Sequence, residues 1–286
     1  MFTPTLRAAA FFLLAGAAVA AVRTSSVTSR DGVRIVYDVR GSGATTLLFV
    51  HCWSCDRSFW HNQVDVFADR YRVVTLDLGG HGESGKDRKT WTVLGLADDV
   101  RAVADALALN RIILVGHSMG GEVVLEAARL LHGRVIGVIA VDTLHNAEFQ
   151  FTPQMMQPVA DKLKADFAGS MGGFMGSMFG PASDPAVRQW IETKAKAADP
   201  KVAVALMLDF ANLDLKKLFS GAGVPIRAIN AKPPGAPLTT VEANRKYADY
   251  DAVLIDNVGH FIQLERPAEF NQHLAKFASA LDAAAK

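Results

Sequence analysis

A serine between two glycines, at the point where an apolar strand runs into a helix, constrains this chain more than any other feature. Residues 111–115 are mainly apolar and β-branched, residues 116–120 are Gly-His-Ser-Met-Gly, and residues 122–131 have the pattern of a helix. A turn this sharp leaves no room for a side chain at either flanking position, so both are glycine. Such a turn lifts the Ser118 hydroxyl off the end of a sheet and aims the first amides of the helix at the space above it.

Strand and helix patterns alternate along the rest of the chain. Short apolar runs predict strands, and an apolar spacing near 3.6 residues predicts helices. The predicted strands cover residues 33–39, 46–50, 71–78, 111–115, 135–141, 224–230 and 253–256, and the main predicted helices cover residues 59–68, 92–107, 122–131 and 267–281. This alternation predicts an α/β fold with a mostly parallel central sheet and helices on both faces.

Residues 143–220 interrupt the alternation, because they contain several helical patterns and no strand pattern. We predict a helical cap here, inserted into a core formed by residues 21–142 and 221–286. Methionine and phenylalanine at helical spacing usually belong to a core. One Gly-, Met- and Phe-rich stretch of the cap lacks regular spacing, however, and flexible apolar side chains of that kind suit an adaptable pocket wall. Met171 and Met175 are therefore expected to contact a substrate.

Residues 1–20 have the pattern of a signal peptide. Arg7 gives a positive start, residues 8–20 are uncharged and mostly apolar, and Ala-Val-Ala at 18–20 fits the small-residue rule for cleavage. The apolar run is shorter than the roughly 20 residues that a helix needs to cross a bilayer. We expect a cleaved signal, a mature chain that begins near Ala21, no stable membrane anchor, and a periplasmic or extracellular location. The alternative is an uncleaved, membrane-associated N-terminus.

The charge balance gives no indication of a polyanionic partner. The chain has 30 Lys and Arg against 29 Asp and Glu, a formal net charge of +1. Without a strong positive field or a basic stripe, neither nucleic acid nor anionic lipid is expected to bind. The sequence makes no prediction of oligomeric state.

Four segments, in this order and spacing, resemble the α/β-hydrolase superfamily from about residue 31 to the C-terminus. They are His51-Cys52-Trp53, Asp-Leu-Gly-Gly-His-Gly-Glu-Ser at 77–84, the serine turn at 116–120, and Val-Gly-His-Phe at 258–261 followed by Glu-Arg-Pro at 265–267. The set is highly specific for fold and catalytic class and says little about substrate. The resemblance implies an α/β-hydrolase fold with an inserted helical cap and a serine hydrolase active site.

The resemblance makes Ser118 the nucleophile and His260 its base. A serine hydroxyl is a weak nucleophile until a base removes its proton, and His260 follows the last predicted strand on a loop that can bring the imidazole over the sheet edge. The tetrahedral intermediate needs two amide donors for its oxyanion, each contributing on the order of 3 kcal/mol. By position these are the amides of Met119 and Trp53. Trp53 and His117 are also expected to bind substrate, with the alternative that His117 points away from the pocket.

The catalytic acid departs from the common pattern of the superfamily. Many relatives carry an aspartate after the strand that corresponds to residues 224–230, but residues 231–238 of this chain hold no carboxylate. Some members place the acid after the strand that follows the helix beyond the serine turn, where this chain has Asp142. The order Ser118, Asp142, His260 keeps the nucleophile, acid, base sequence of the fold. An imidazolium formed during attack needs a nearby negative charge, so we expect Asp142 to supply it.

Alternatives to this assignment stay open in the sequence. Asp142 also stands where the chain enters the cap, and a polar residue at that point needs no catalytic role. Glu242 begins a predicted helix beyond the usual position of the acid, and Asp256 ends the strand before His260. Both are weaker candidates than Asp142.

Cys52 stands where relatives usually have glycine, and Cys52 and Cys55 are the only cysteines of the chain. A secreted protein passes into an oxidising compartment, in which Cys52 and Cys55 can form a disulfide. That disulfide would stiffen the loop that carries the Trp53 amide. Two free buried thiols are the alternative. A zinc site built on His51, Cys52 and Cys55 lacks further ligands. Neither a metal nor a cofactor is expected.

These observations predict a secreted serine hydrolase of the carboxylesterase type, which cleaves a carboxylic ester or related acyl bond of a small, apolar substrate through an acyl-enzyme. A serine in the turn at 116–120 excludes the haloalkane dehalogenases and epoxide hydrolases of the superfamily, which use aspartate there. Carbon–carbon bond hydrolases, lactonases and cofactor-free perhydrolases share the same three catalytic groups and stay open as alternatives. A slow-turnover small-molecule receptor of the same fold is a further alternative.

Overall fold

The computed structural model describes residues 22–232 and 238–285. Its strands are β1 Arg23–Thr28, β2 Arg34–Arg40, β3 Thr46–Val50, β4 Arg72–Leu76, β5 Ile112–His117, β6 Val135–Val141, β7 Ile226–Lys232 and β8 Tyr250–Asp256. Its α-helices are α1 His61–Ala68, α2 Ala97–Ala106, α3 Met119–Leu130, α4 Pro153–Ala165, α5 Phe167–Gly176, α6 Pro185–Lys196, α7 Pro200–Asp209, α8 Leu215–Gly221, α9 Val241–Asn244, α10 Ile262–Glu265 and α11 Pro267–Ala284. Short 3₁₀ turns lie at Arg57–Trp60, Leu94–Leu96 and Phe210–Asn212.

Within the described residues, all eight strands form one sheet in the order β1-β2-β4-β3-β5-β6-β7-β8. β1, β2 and β4 pair antiparallel, whereas β4, β3, β5, β6, β7 and β8 are parallel to one another. The α/β class and the mostly parallel sheet predicted from the sequence are therefore confirmed. β1 was not predicted, because its mostly polar and exposed residues give no apolar alternation.

Side chains of successive strand residues pack into two separate apolar layers, one on each face of the sheet. Ile112 and Leu114 of β5 share one layer with Val123 of α3. Ile113 and Val115 of the same strand belong to the other layer, which includes residues of α1 and α11. Because side chains alternate along a strand, a central strand buried on both faces is apolar throughout.

Five helices, α4 to α8, follow one another between β6 and β7, where the sequence predicts the cap. Four of them begin after an aspartate whose side chain accepts a hydrogen bond from an N–H of the first turn, which offsets the lack of intrahelical partners there. These aspartates are Asp166, Asp184, Asp199 and Asp214. The division into a core of residues 21–142 and 221–286 and a cap of residues 143–220 stays a prediction.

The predicted signal peptide lies outside the described residues. Among the residues that are described, no helix combines the length and the apolar character that crossing a membrane requires.

The parallel strands bring the segments singled out in the sequence to one edge of the sheet. β5 lies between β3 and β6, so the residues that follow these three strands are neighbours. They include the segment after β3 that contains Trp53, Ser118 after β5, and Asp142 after β6. Open α/β sheets bind their ligands at this edge, beyond the carboxyl ends of the strands.

Candidate active site

Ser118 occupies a strained turn between β5 and α3, with a φ of 52°. Its amide donates to the carbonyl of Val141 at 3.1 Å, which ties the turn to the end of β6. A Cβ atom on Gly116 would lie 2.3 Å from the Gly120 carbonyl oxygen, and one on Gly120 would lie 2.6 Å from the Val50 carbonyl oxygen. Both glycines are thus required by the close approach of the backbone, as the sequence predicts.

Asp142 and His260 form a direct contact, in which Nδ1 of His260 lies 2.6 Å from Oδ2 of Asp142. The other oxygen of Asp142 accepts a hydrogen bond from the Ala231 amide at 2.8 Å. Burial acts to raise the pKa of the Asp142 carboxyl, but the hydrogen bond and the charge of His260 lower it, and the net pKa lies below its ordinary value. Asp142 therefore stays ionised where it faces His260.

The two weaker candidates for the acid lie elsewhere. Asp256 is largely exposed and pairs with Lys232 at 3.3 Å. Glu242 is exposed in the first turn of α9. Of the three carboxylates considered from the sequence, Asp142 is the one that the structure places against His260.

The backbone on both sides of His260 is held by the carboxylate of Glu265. This carboxylate accepts hydrogen bonds from the amides of Gly259 and Phe261, both at 3.1 Å. It also accepts from the Gly180 amide at 2.9 Å, so the loop is joined to the segment after α5. The position of the imidazole is thereby fixed from the chain on either side of it.

His117 supports the same loop and does not bind in the cavity, which corrects the prediction that it contacts substrate. It is the last residue of β5 and fully buried. Its Nε2–H donates to the His260 carbonyl at 2.8 Å, and its Nδ1 accepts from the Gln263 amide at 3.1 Å. Burial lowers the pKa of His117 to about 3, so the ring is neutral in this tautomer. The ring packs edge-on against Trp60, which belongs to the apolar layer that includes residues of α1 and α11, and not to the cavity wall.

The two amides expected to form the oxyanion hole come from the start of α3 and from the segment after β3. Met119 is the first residue of α3, so its N–H has no carbonyl one turn earlier to pair with. The Trp53 amide shares a rigid peptide plane with the Cys52 carbonyl, which accepts from His51 Nδ1–H at 2.8 Å. His51 in turn accepts from the Leu78 amide at 3.0 Å. This buried histidine therefore orients the peptide that carries the Trp53 N–H.

Cys52 and Cys55 are joined by a disulfide that closes the loop around Trp53. Of the two states left open by the sequence, the structure contains the disulfide rather than two free thiols. The indole of Trp53 is anchored separately, because its Nε1–H donates to the Ala203 carbonyl of α7 at 2.9 Å. The loop before α1 is thus fixed both to itself and to the helices above it.

A cavity of about 630 Å³ opens above Ser118. Ser118, Asp142 and His260 all lie on its wall, together with Trp53 and Met175. Most of the remaining wall is apolar and is formed by residues such as Phe149, Phe151, Met156, Phe174, Met178 and Phe210. The cavity therefore suits an uncharged, largely apolar ligand.

Met171 was expected to contact substrate, and this prediction is wrong. It lies one turn before Met175 on α5, is fully buried, and is absent from the wall of the cavity. Its side chain packs within the apolar core instead. Spacing along one helix face could not separate the two methionines, because only the later turn of α5 reaches the cavity.

Two residues of this region were missed from the sequence. Glu122, one turn into α3, lies on the cavity wall at 4% exposure, and burial raises the pKa of its carboxyl to about 8. Asn230, near the end of β7, binds the backbone of Thr143 in both directions, accepting from its N–H at 3.2 Å and donating to its carbonyl at 3.1 Å. A carboxylate in the first turn of α3, within a stretch of residues 119–125 that is otherwise uncharged and mostly apolar, was the available signal for Glu122.

With this geometry established, comparison with known proteins identifies the family. Residues 47–273 match the alpha/beta hydrolase family. Because this match covers most of the chain, the protein belongs to the α/β-hydrolase family, as its four sequence segments predict.

The curated relatives have varied descriptions and lengths. The dihydrolipoyllysine-residue acetyltransferase component of the acetoin cleaving system of Cupriavidus necator is 39% identical over 39% of this chain, and that of Pseudomonas putida is 26% identical over 84%. The chain spans 30% and 65% of the lengths of these two relatives. 3-oxoadipate enol-lactonase 1 of Acinetobacter baylyi is 22% identical and covers 91% of this chain and 98% of its own length.

Solved structures have the same fold over nearly the whole chain. Est816, described as an N-acyl homoserine lactone degrading enzyme, is 30% identical with a TM-score of 0.70, covering 88% of this chain and 100% of its own. A thermophilic esterase from Thermogutta terrifontis is 24% identical with a TM-score of 0.78, covering 91% of this chain and 99% of its own.

Proposed function

We propose that this protein is a serine hydrolase that cleaves carboxylic esters of small, largely apolar substrates through an acyl-enzyme. The observation that carries the proposal is that Ser118 and the hydrogen-bonded pair of His260 and Asp142 share one apolar cavity. Family membership supports hydrolytic chemistry, and the ester as substrate class is our inference from these groups.

In the proposed mechanism, Ser118 Oγ attacks the ester carbonyl while His260 Nε2 removes the hydroxyl proton. The His260 Nδ1–H donates to Asp142, whose charge stabilises the imidazolium. The amides of Trp53 and Met119 donate to the oxyanion of the tetrahedral intermediate. The C–O bond then breaks, and His260 returns the proton to the leaving alkoxide. A water molecule, deprotonated by His260, then attacks the acyl carbonyl and forms a second tetrahedral intermediate. This intermediate releases the carboxylic acid, and His260 returns the proton to Ser118.

Lactones are a second candidate substrate, favoured by one comparison. Est816, which is 30% identical and matched along its whole length, is described as degrading N-acyl homoserine lactones. A lactone is an internal ester, so the same steps apply, with the difference that the leaving alcohol stays attached to the acyl group. The cavity of about 630 Å³ has room for a ring with a short side chain.

The decisive experiment is labelling with a fluorophosphonate probe together with hydrolysis of short p-nitrophenyl esters. The wild-type protein is expected to be labelled on Ser118 and to release p-nitrophenol, and Ser118→Ala is expected to do neither. Ser220→Ala, which removes an exposed hydroxyl from α8, is the matched control and keeps both activities.

Other outcomes of this experiment point to other functions. Tight binding of a small ligand that persists in Ser118→Ala, with negligible turnover by the wild-type protein, indicates a receptor. Labelling of Ser118 without hydrolysis of any ester or lactone indicates carbon–carbon bond cleavage or perhydrolysis. Absence of labelling contradicts the proposal.

We also propose that the protein is exported with cleavage of residues 1–20. The signal-peptide pattern is the first support, and the disulfide between Cys52 and Cys55 is the second, because disulfides persist in oxidising compartments. N-terminal sequencing of the protein from its native host tests this, with Ala21 or a neighbour expected as the first residue. An intact N-terminus in a cytosolic fraction contradicts it.

A further inference from the structure

The wall of the active-site cavity contains one carboxyl group that the proposed chemistry does not use. Asp142 and His260 bind each other, and His145 Nδ1 lies 2.9 Å from Thr239 Oγ1. Glu122 differs from these polar residues, because its Oε2 is buried without a hydrogen-bond partner. Among the described residues with such unpartnered buried side-chain atoms, Glu122 alone lies on this wall.

Placement brings this group close to a ligand bound at Ser118. Glu122 lies in the first turn of α3, four residues after Ser118, and both residues line the same cavity. The carboxyl makes hydrogen bonds with its own backbone N–H and with the side chain of Thr143. Neither contact supplies a partner for Oε2, so hydrogen-bonding capacity of the carboxyl is left unused.

Fold stability does not account for a carboxyl at this position. Buried polar groups in folded proteins nearly always have partners, and an exception calls for an explanation such as a functional role, a bound water or a ligand. The surrounding wall is built from methionine, phenylalanine and leucine, so a leucine or methionine would pack there without leaving an unpaired oxygen. Burial raises the pKa of Glu122 to about 8, so at neutral pH the group is a neutral acid with an O–H to donate.

We propose that Glu122 determines substrate specificity by donating a hydrogen bond to a second, uncharged oxygen of the substrate, a few bonds from the scissile carbonyl. The substrate class is then an ester or lactone that carries an amide, keto, hydroxyl or ether oxygen in addition to its ester group. This inference rests on the proposed ester hydrolysis and narrows it. It also disfavours plain alkyl esters as the natural substrates.

The test compares esters that differ only in the replacement of one methylene by oxygen. The acyl pairs are the p-nitrophenyl esters of butanoate and methoxyacetate, pentanoate and 3-methoxypropanoate, and hexanoate and 4-methoxybutanoate. The alcohol pair is butyl butanoate and 2-methoxyethyl butanoate. For each pair, the ratio of kcat/KM for the oxygen-containing ester to that for the alkyl ester is measured in the wild-type protein and in Glu122→Leu. Dividing one ratio by the other cancels the intrinsic reactivities of the two esters.

In at least one pair, the wild-type ratio is expected to exceed the Glu122→Leu ratio by tenfold or more. Glu122→Gln retains an N–H donor of similar shape and is expected to keep most of this preference. Glu126→Leu is the matched control, because it makes the same change one turn further along α3, where Glu126 pairs with Arg129 outside the cavity. Its ratios should equal those of the wild-type protein.

Two failures are distinguishable. Equal ratios in wild type and Glu122→Leu for all four pairs, with every ester hydrolysed, overturn the role of Glu122 and leave the proposed hydrolysis intact. Hydrolysis of none of the eight esters overturns the proposed function, and this inference with it.

Discussion

Nδ1 of His260 and Oδ2 of Asp142 lie 2.6 Å apart, although the two residues are 118 positions apart in the chain. Asp142 follows β6, and its other oxygen accepts from the Ala231 amide of β7 at 2.8 Å. β6 and β7 are neighbouring parallel strands. The pairing of β6 with β7 therefore holds the Asp142 carboxylate in place, with one oxygen bound to β7 and the other facing His260.

Asp142→Asn is expected to lower kcat by about 10³- to 10⁴-fold, because an amide neither selects the required histidine tautomer nor stabilises the imidazolium. KM should change little, since the amide keeps the shape of the site. Steady-state hydrolysis of a p-nitrophenyl ester measures both constants. Asp256→Asn, at the exposed carboxylate paired with Lys232, is the control. Near-normal turnover in Asp142→Asn would show that another group serves as the acid.

Glu265→Gln is expected to lower kcat by about tenfold to a hundredfold, since small displacements of catalytic groups reduce rates by such factors. The neutral amide replaces one oxygen acceptor by a donor, so the amides of Gly259 and Phe261 can no longer both be satisfied as they are now. The effect should fall on kcat rather than on KM, because Glu265 is not on the cavity wall.

Glu269→Gln controls for this change, because Glu269 pairs with Arg266 on the surface. A Glu265→Gln protein that folds normally and keeps its full kcat would show that the loop holds His260 without this carboxylate.

The disulfide between Cys52 and Cys55 is expected to contribute about 2 kcal/mol to the free energy of unfolding by restricting the unfolded chain. Thiol titration of the denatured protein should give no free thiol before reduction and two afterwards. Cys52→Ser/Cys55→Ser should also lose kcat, because the loop that carries the Trp53 amide is then closed only by hydrogen bonds. Two titratable thiols before reduction, or a double variant with unchanged stability and kcat, would contradict this role.

The Ser118 turn was predictable because it is a local backbone requirement, whereas His260 and Asp142 were assigned through the resemblance to the α/β-hydrolase superfamily. This turn needs glycine at 116 and 120, because a Cβ atom at either position would meet a carbonyl oxygen. Such a requirement is visible in a sequence. The apolar strands were predictable for a similar reason, since a strand buried on both faces must be apolar throughout.

Residues whose roles depend on contacts between distant elements could not be assigned in this way. His117 is adjacent to Ser118 in sequence, but its ring lies under the His260 loop and bonds to that backbone. Met171 and Met175 look equivalent in sequence and differ only in which turn of α5 reaches the cavity. β1 is polar, and only its pairing with β2 makes it a strand. No periodicity carries such information.

Glu122 is expected to make the stability of the protein depend on pH in a direction that is unusual for a glutamate. Burial raises its pKa from the ordinary 4.5 to about 8, so the folded state retains a proton that the unfolded chain releases. The neutral carboxyl therefore contributes stability that is fully present below pH 4.5 and is lost as the pH rises towards 8, by up to about 1.4 kcal/mol per pH unit.

Glu122→Gln cannot lose a proton, so its free energy of unfolding should rise relative to wild type across this range and level off above pH 8. Urea unfolding at pH 5, 6, 7, 8 and 9 measures the difference, with Glu126→Gln as the control that follows wild type. Parallel curves for wild type and Glu122→Gln would mean that Glu122 is ionised in the folded protein, and the donor assigned to it in substrate binding would be lost with it.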